Sequence, residues 1–139
     1  MKVISLFLLF SLFSGLDLQA QVIEDAWIKK PLPGLKMTAA YMLIVNPTDK
    51  ELVLEKITGP DALYYEIHTH KSENGIMKMR QLKSIKIAPK SKHELKPMGD
   101  HIMVMQTNNE LPNKLKTTMT LYFKGQKPKE INLEVKKSL

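Results

Sequence analysis

From residue 22 onward, apolar positions recur mostly with a period of two, in short runs closed by proline, glycine or asparagine. Alternation of this kind is the mark of a strand with one buried face. The runs are Val22 to Ile28, Ala39 to Val45, Glu51 to Ile57, Leu63 to His70, Ile76 to Leu82, Ile85 to Ile87, His93 to Leu95, His101 to Gln106, Thr117 to Phe123 and Ile131 to Val135. Between them stand Lys30-Pro31-Leu32-Pro33-Gly34, Asn46-Pro47-Thr48-Asp49, Gly59-Pro60-Asp61 and Ala88-Pro89-Lys90, all turn or loop chemistry. Leu52, Leu54 and Ile57 are expected inward, and Met37, Met42 and Met119 are expected to fill core space. No long helical period competes; one short helical turn is predicted near Asn109 to Lys114. Many short strands separated by turn signals predict an all-β sandwich or barrel.

Residues 1–20 read differently. Lys2 precedes an apolar run from Val3 to Phe13, and Leu18-Gln19-Ala20 resembles a small-residue cleavage site. This predicts a cleaved signal peptide over 1–20 and an exported, periplasmic protein beginning at Gln21. A retained N-terminal anchor is the alternative, though the apolar run is short for a membrane span. Roughly 119 of the 139 residues then remain for one domain, 21–139, with one core. The chain has no cysteine. That rules out a disulfide framework, a lipid-bearing cysteine after the leader, a thiolate metal site and the His2Cys set of blue-copper carriers.

Without thiolate, the chemistry-bearing donors are imidazole and thioether. His68, Met79, His101 and Met103 are separated by ten, twenty-one and one residues. Random placement at this composition gives that spacing roughly once in two thousand chains, so the pattern is a modest filter and geometry must add to it. His101 and Met103 sit two apart in an alternating run, hence on one face about 7 Å apart. His68 and Met79 lie on the arms of a predicted hairpin. A turn centred on Glu73 and Asn74 would set them opposite each other; an Asn74-Gly75 turn would instead set Met79 opposite His70. The sequence leaves both registers open. Imidazole suits copper and other metals, while thioether sulfur selects Cu(I).

Around these residues the chain resembles the PCu(A)C-type periplasmic copper chaperones. The resemblance is densest from Glu66-Ile67-His68 through Gly75-Ile76-Met77-Lys78-Met79-Arg80, then Ile87-Ala88-Pro89 and Leu95-Lys96-Pro97, to His101-Ile102-Met103. It implies a cupredoxin-like Greek-key β-sandwich and copper-ligand roles for His68, Met79, His101 and Met103. It also implies an activity: holding Cu(I) outside the cytoplasm and passing it to an acceptor protein, a cytochrome c oxidase subunit or its assembly factor. Met98-Gly99-Asp100 departs from the glycine pair and aromatic common in that family, which leaves the shape of that loop open.

The remaining features add less. The formal charge of +7 is spread over dispersed lysines and reads as a solvated surface, with an acidic partner or anionic lipid as the alternative. Export and the lack of a recognition motif oppose nucleic acid. A monomer without a stable membrane span is expected. No nucleophile–base set or hydrolytic zinc set can be placed, so an enzyme is not predicted. An extracytoplasmic copper buffer and a non-metal binding module are the competing readings. His93 reads as solvated. His70, Met77 and Met105 share faces with the motif residues as second-layer, docking or packing candidates. Glu66 and Asp100 are candidate carboxylates for orienting the imidazoles.

Overall fold

The computed structural model describes residues 21–137; the expected leader, 1–20, lies outside them. Ten strands follow: β1 (Val22–Lys29), β2 (Met37–Asn46), β3 (Leu52–Thr58), β4 (Ala62–Glu73), β5 (Ile76–Leu82), β6 (Ile85–Ile87), β7 (Ser91–Leu95), β8 (His101–Thr107), β9 (Lys116–Phe123) and β10 (Lys129–Lys136). The predicted helical turn is a single 3-10 turn at Leu111–Asn113, with Pro112 supplying its fixed φ.

The strands hydrogen-bond in the order β5-β4-β8-β2-β1-β10-β9-β3-β6, with β7 pairing the second half of β2. β8 lies between β4 and β2, and β1 runs parallel to β10. These non-sequential neighbours are the crossovers of the expected Greek-key arrangement. The ladder folds over so that both layers share one core. Ala40, Ile67, Ile102 and Val104 from the β4–β8–β2 layer join Leu54, Ile57, Met119, Leu121 and Leu133 in it. That burial is the main stabilisation available to a chain without cysteine.

Two bulges explain departures from strict alternation. One in β3, between Leu54 and Lys56, lets Leu52, Leu54 and Ile57 all face inward, as expected. Another, at Asp25 with φ of 49°, resets β1. Met42 and Met119 are buried as expected, but Met37 is not. It is 49 % exposed, because the Lys30–Gly34 loop delivers β2 with residue 37 on the outer face.

Asp61, buried just before β4, ties that strand to the β8–β9 connection and the start of β9. Asn108 and Lys114 donate to its Oδ1 at 2.9 and 2.5 Å, Thr117 donates to Oδ2, and its carbonyl accepts from the Asn108 N–H. Burial raises its pKa, but the Lys114, Thr117 and Asn108 hydrogen bonds outweigh that and hold the carboxyl below its usual value.

Candidate metal centre

The hairpin register decides which donors meet. Asn74 and Gly75 take φ of 53° and 77°, and Glu73 pairs with Ile76. Positive φ at both central residues is the two-residue turn that suits a right-twisted hairpin, and asparagine and glycine adopt it at least cost. Met79 therefore faces His70, and His68 faces Gln81. The direct His68–Met79 pairing of the other register does not form. On the opposite side of β4, His68 pairs with His101 and Glu66 with Met103. Cross-strand partners share a face, so Glu66, His68, His70, Met79, His101 and Met103 all lie on the outer face of the layer, away from Ile67 and Ile102.

A discontinuity in β2 pairing closes the site. β7 pairs with Met42–Asn46 and β8 with Met37–Ala40. Residues 96–100 are thus an excursion opposite Tyr41. It is tightened by Lys96 N–H to the Asp100 carbonyl at 2.9 Å and Gly99 N–H to the Lys96 carbonyl at 3.0 Å. Met98 takes φ of 65° there. The loop brings the Gly99 carbonyl over the imidazoles. His101 donates from Nδ1 to that oxygen at 2.9 Å, and His70 Nδ1 lies 3.4 Å from it. A carbonyl can only accept, so His101 carries its proton on Nδ1 and keeps the Nε2 lone pair.

His68 is oriented by a different partner. Its Nε2–H donates to Glu66 Oε2 at 2.9 Å, and its Nδ1 is buried without a hydrogen-bond partner. An orphaned buried nitrogen of this kind is costly unless something uses its lone pair. Of the two expected carboxylates, Glu66 thus holds a motif imidazole, while Asp100 does not. Asp100 accepts from His93 Nε2 at 2.9 Å, so His93 is a half-buried, bonded residue rather than a solvated one.

Burial pushes the His101 pKa below the ordinary imidazole value. Charge on His70 and His68 lowers it further, against the opposing pull of the Gly99 carbonyl and Asp100. His101, 3 % exposed, therefore stays neutral and able to ligate into mildly acidic conditions.

Met79, His101 and Met103 line one cavity of about 220 Å³, closed on one side by Lys30, Pro31, Leu32 and Leu35. His70 lines it as well; His68 does not, although its ring centroid is 6.0 Å from that of His101. The His70 and His101 centroids are 5.1 Å apart. Two imidazoles on one ion, at metal–nitrogen distances of about 2.0 Å, place their centroids roughly 5–6 Å apart. Both pairs meet that spacing. Among the described residues, no three His, Cys, Asp or Glu side chains converge on a common point.

Sequence reasoning left His70 as secondary, because its place in the cavity depends on the hairpin register. The Gly99 carbonyl has no sequence signal at all. Tyr41, whose ring lies tilted against Trp27 at 4.5 Å and 6.4 Å from His101, carries no sequence signal because its strand alternates like any other.

The arrangement is that of a PCuAC-type β-sandwich domain with His68, His70, Met79, His101 and Met103 on one outer sheet face. A copper-bound PCuAC domain from PmoF2 superposes with a TM-score of 0.73 at 24 % identity, covering 86 % of this chain and 94 % of that one. The Cu(I) form of DR1885 from Deinococcus radiodurans gives 0.66 at 25 % identity, covering 91 % and 85 %. No curated protein sequence matches the chain. The chain belongs to the LpqE-like family, described as "Putative lipoprotein LpqE-like", whose profile matches residues 22–135.

Proposed function

We propose that this protein binds Cu(I) outside the cytoplasm through His68, Met79, His101 and Met103 and passes it to an acceptor protein. The observation that carries the reading is a pair of neighbouring imidazoles, each with a bare nitrogen, one of which shares its cavity with two thioethers. His68 Nδ1 is buried with no partner, and His101 Nε2 is left free by the Nδ1 bond to Gly99. All four donors are neutral when bound, so the ion keeps its charge and no thiolate locks it in place. An acceptor offering cysteine thiolates takes it by ligand exchange. Met79, 39 % exposed on edge strand β5, is the donor such an acceptor reaches first.

The likeness to copper-bound and Cu(I)-bound PCuAC domains supports the cargo, and the family description supports export. Among the described residues, no helix is long and apolar enough to cross a membrane. The resemblance to periplasmic chaperones points to copper-centre assembly of cytochrome c oxidase as the destination.

Competition titration of Cu(I) against a chromophoric chelator tests the ligand set. Met79→Leu and Met103→Leu keep volume, so the fold survives at a cost under about 1.5 kcal/mol while Cu(I) binding weakens. His68→Ala and His101→Ala weaken Zn(II) and Cu(II) binding as well. Folded methionine variants that hold Cu(I) as tightly as the parent would show the thioethers to be packing residues. Incubating the loaded protein with an apo oxidase copper domain then separates a chaperone, which gives up its copper, from a buffer, which keeps it.

A further inference from the structure

A second row of sulfur lies beside the first on the same face. Met37 of β2 pairs directly with Met105 of β8, and Met105 is two residues from Met103. Paired residues have Cβ atoms about 5 Å apart, and alternate residues on one strand lie about 7 Å apart. The outward positions of β8 are therefore His101, Met103 and Met105 in succession, each able to donate to a soft metal. Met37 and Met105 line a mainly apolar groove of about 610 Å³, whose walls also include Leu35, Tyr64 and Glu66. Met37 and Leu35 line the His/Met cavity too, so the two spaces meet at Met37.

Packing does not account for the Met37 sulfur. Met37 is 49 % exposed, and a methionine's usual service is to fill irregular buried gaps. Leu32 and Leu35, close by, show that this surface accepts leucine. What thioether adds over leucine is a flexible, polarizable donor that binds Cu(I) and does not titrate. The Glu66 carboxylate on the groove wall favours a cation, and Lys36 beside it opposes one.

We infer that Met37 and Met105, with Met103 shared, form a second, thioether-only Cu(I) station through which the ion moves between the His/Met cavity and the open groove. The inference rests on the reading of that cavity as a Cu(I) site. The step is ligand exchange only: sulfur replaces imidazole or sulfur on the same ion, and neither electrons nor protons change hands. With fewer donors and no imidazole, the station binds more weakly than the cavity, and its affinity does not follow imidazole protonation.

Methyl-resolved NMR of protein carrying 13C-methyl methionine, titrated anaerobically with Cu(I), tests this. The first equivalent should move the Met79 and Met103 methyls, and the second those of Met37 and Met105. The second shift should persist at about pH 5.5, below the ordinary imidazole range. The Met37→Leu/Met105→Leu double variant should bind the first equivalent within about twofold of the parent, since it keeps His68, Met79, His101 and Met103. It should lose the second and release Cu(I) to a dithiol peptide several-fold more slowly. Met37 and Met105 methyls that stay still through two equivalents, while Met79 and Met103 respond, overturn the station. So does a double variant that binds the second equivalent like the parent. Movement of Met37 and Met105 alone would instead refute the cavity reading and leave the thioether pair standing.

Discussion

Replacing Glu66 by glutamine keeps the side chain's shape and removes its charge at the point where the structure prepares His68. The Nε2–H···Oε2 bond at 2.9 Å holds the proton on Nε2 and leaves Nδ1 bare. A glutamine can accept from Nε2 through its oxygen, or turn its amide and donate to Nε2. The second arrangement moves the imidazole proton to Nδ1 and blocks that lone pair. A hydrogen bond to a charged group contributes about 1.5–3 kcal/mol. His68 and Glu66 side chains retain 15 % and 32 % of their exposure, so solvent screening places this one at the low end. A loss of about 1.5–2 kcal/mol is roughly ten- to thirtyfold in Cu(I) affinity, within the range for a residue that orients a metal ligand. Competition titration at neutral pH reads the affinity, and ring 15N spectra of the metal-free protein read the tautomer. Asp100→Asn is the comparison: its carboxylate serves His93, so affinity should stay within about twofold. A folded Glu66→Gln protein with parental affinity would show that His68 does not bind through a nitrogen prepared by Glu66.

Four further outcomes are expected. His70→Ala should weaken Cu(I) binding less than His101→Ala, since His70 lines the cavity but its Nδ1 is only 3.4 Å from a shared carbonyl; equal losses would make His70 a full ligand. Asp61→Ala should cost about 1–3 kcal/mol by leaving the Thr117 and Asn108 donors without their acceptor, lowering the midpoint of thermal unfolding by roughly 5–15 °C in calorimetry, while a shift of a degree or two would discount the clamp. The metal-free protein should lose stability as pH falls below about 6.5, because unfolded His101 takes up a proton there and the folded residue, with its lowered pKa, takes it up only at lower pH; His101→Phe should flatten that slope in denaturant titrations. Asp61, whose carboxyl is held below its usual value, adds stability above the unfolded carboxylate range that is lost as pH falls through its lower folded value, so Asp61→Asn should be less acid-sensitive below about pH 4.

The strands, their breakers and the buried faces of β3, β8 and β9 are local facts. Period-two alternation and proline or glycine punctuation act over a few residues, so the chain's order already announces a β-sandwich. The soft-donor chemistry is equally local, since a chain without cysteine that spaces His68, Met79, His101 and Met103 in this way limits its metal options before it folds. Which donors face one another is not local. Met79 meets His70 because Asn74 and Gly75 both turn through positive φ, and the sequence permitted a turn one residue earlier. The free nitrogens of His68 and His101 depend on Glu66 in one case and on the Gly99 carbonyl in the other. That carbonyl reaches the site only because residues 96–100 loop out where β2 changes partner from β7 to β8. Met37, expected in the core because a lone methionine usually fills buried space, faces outward because a strand's phase relative to the core is set by the loop that delivers it and by the strands it pairs with. Alternation gives two faces but does not say which one a methionine will share with the imidazoles.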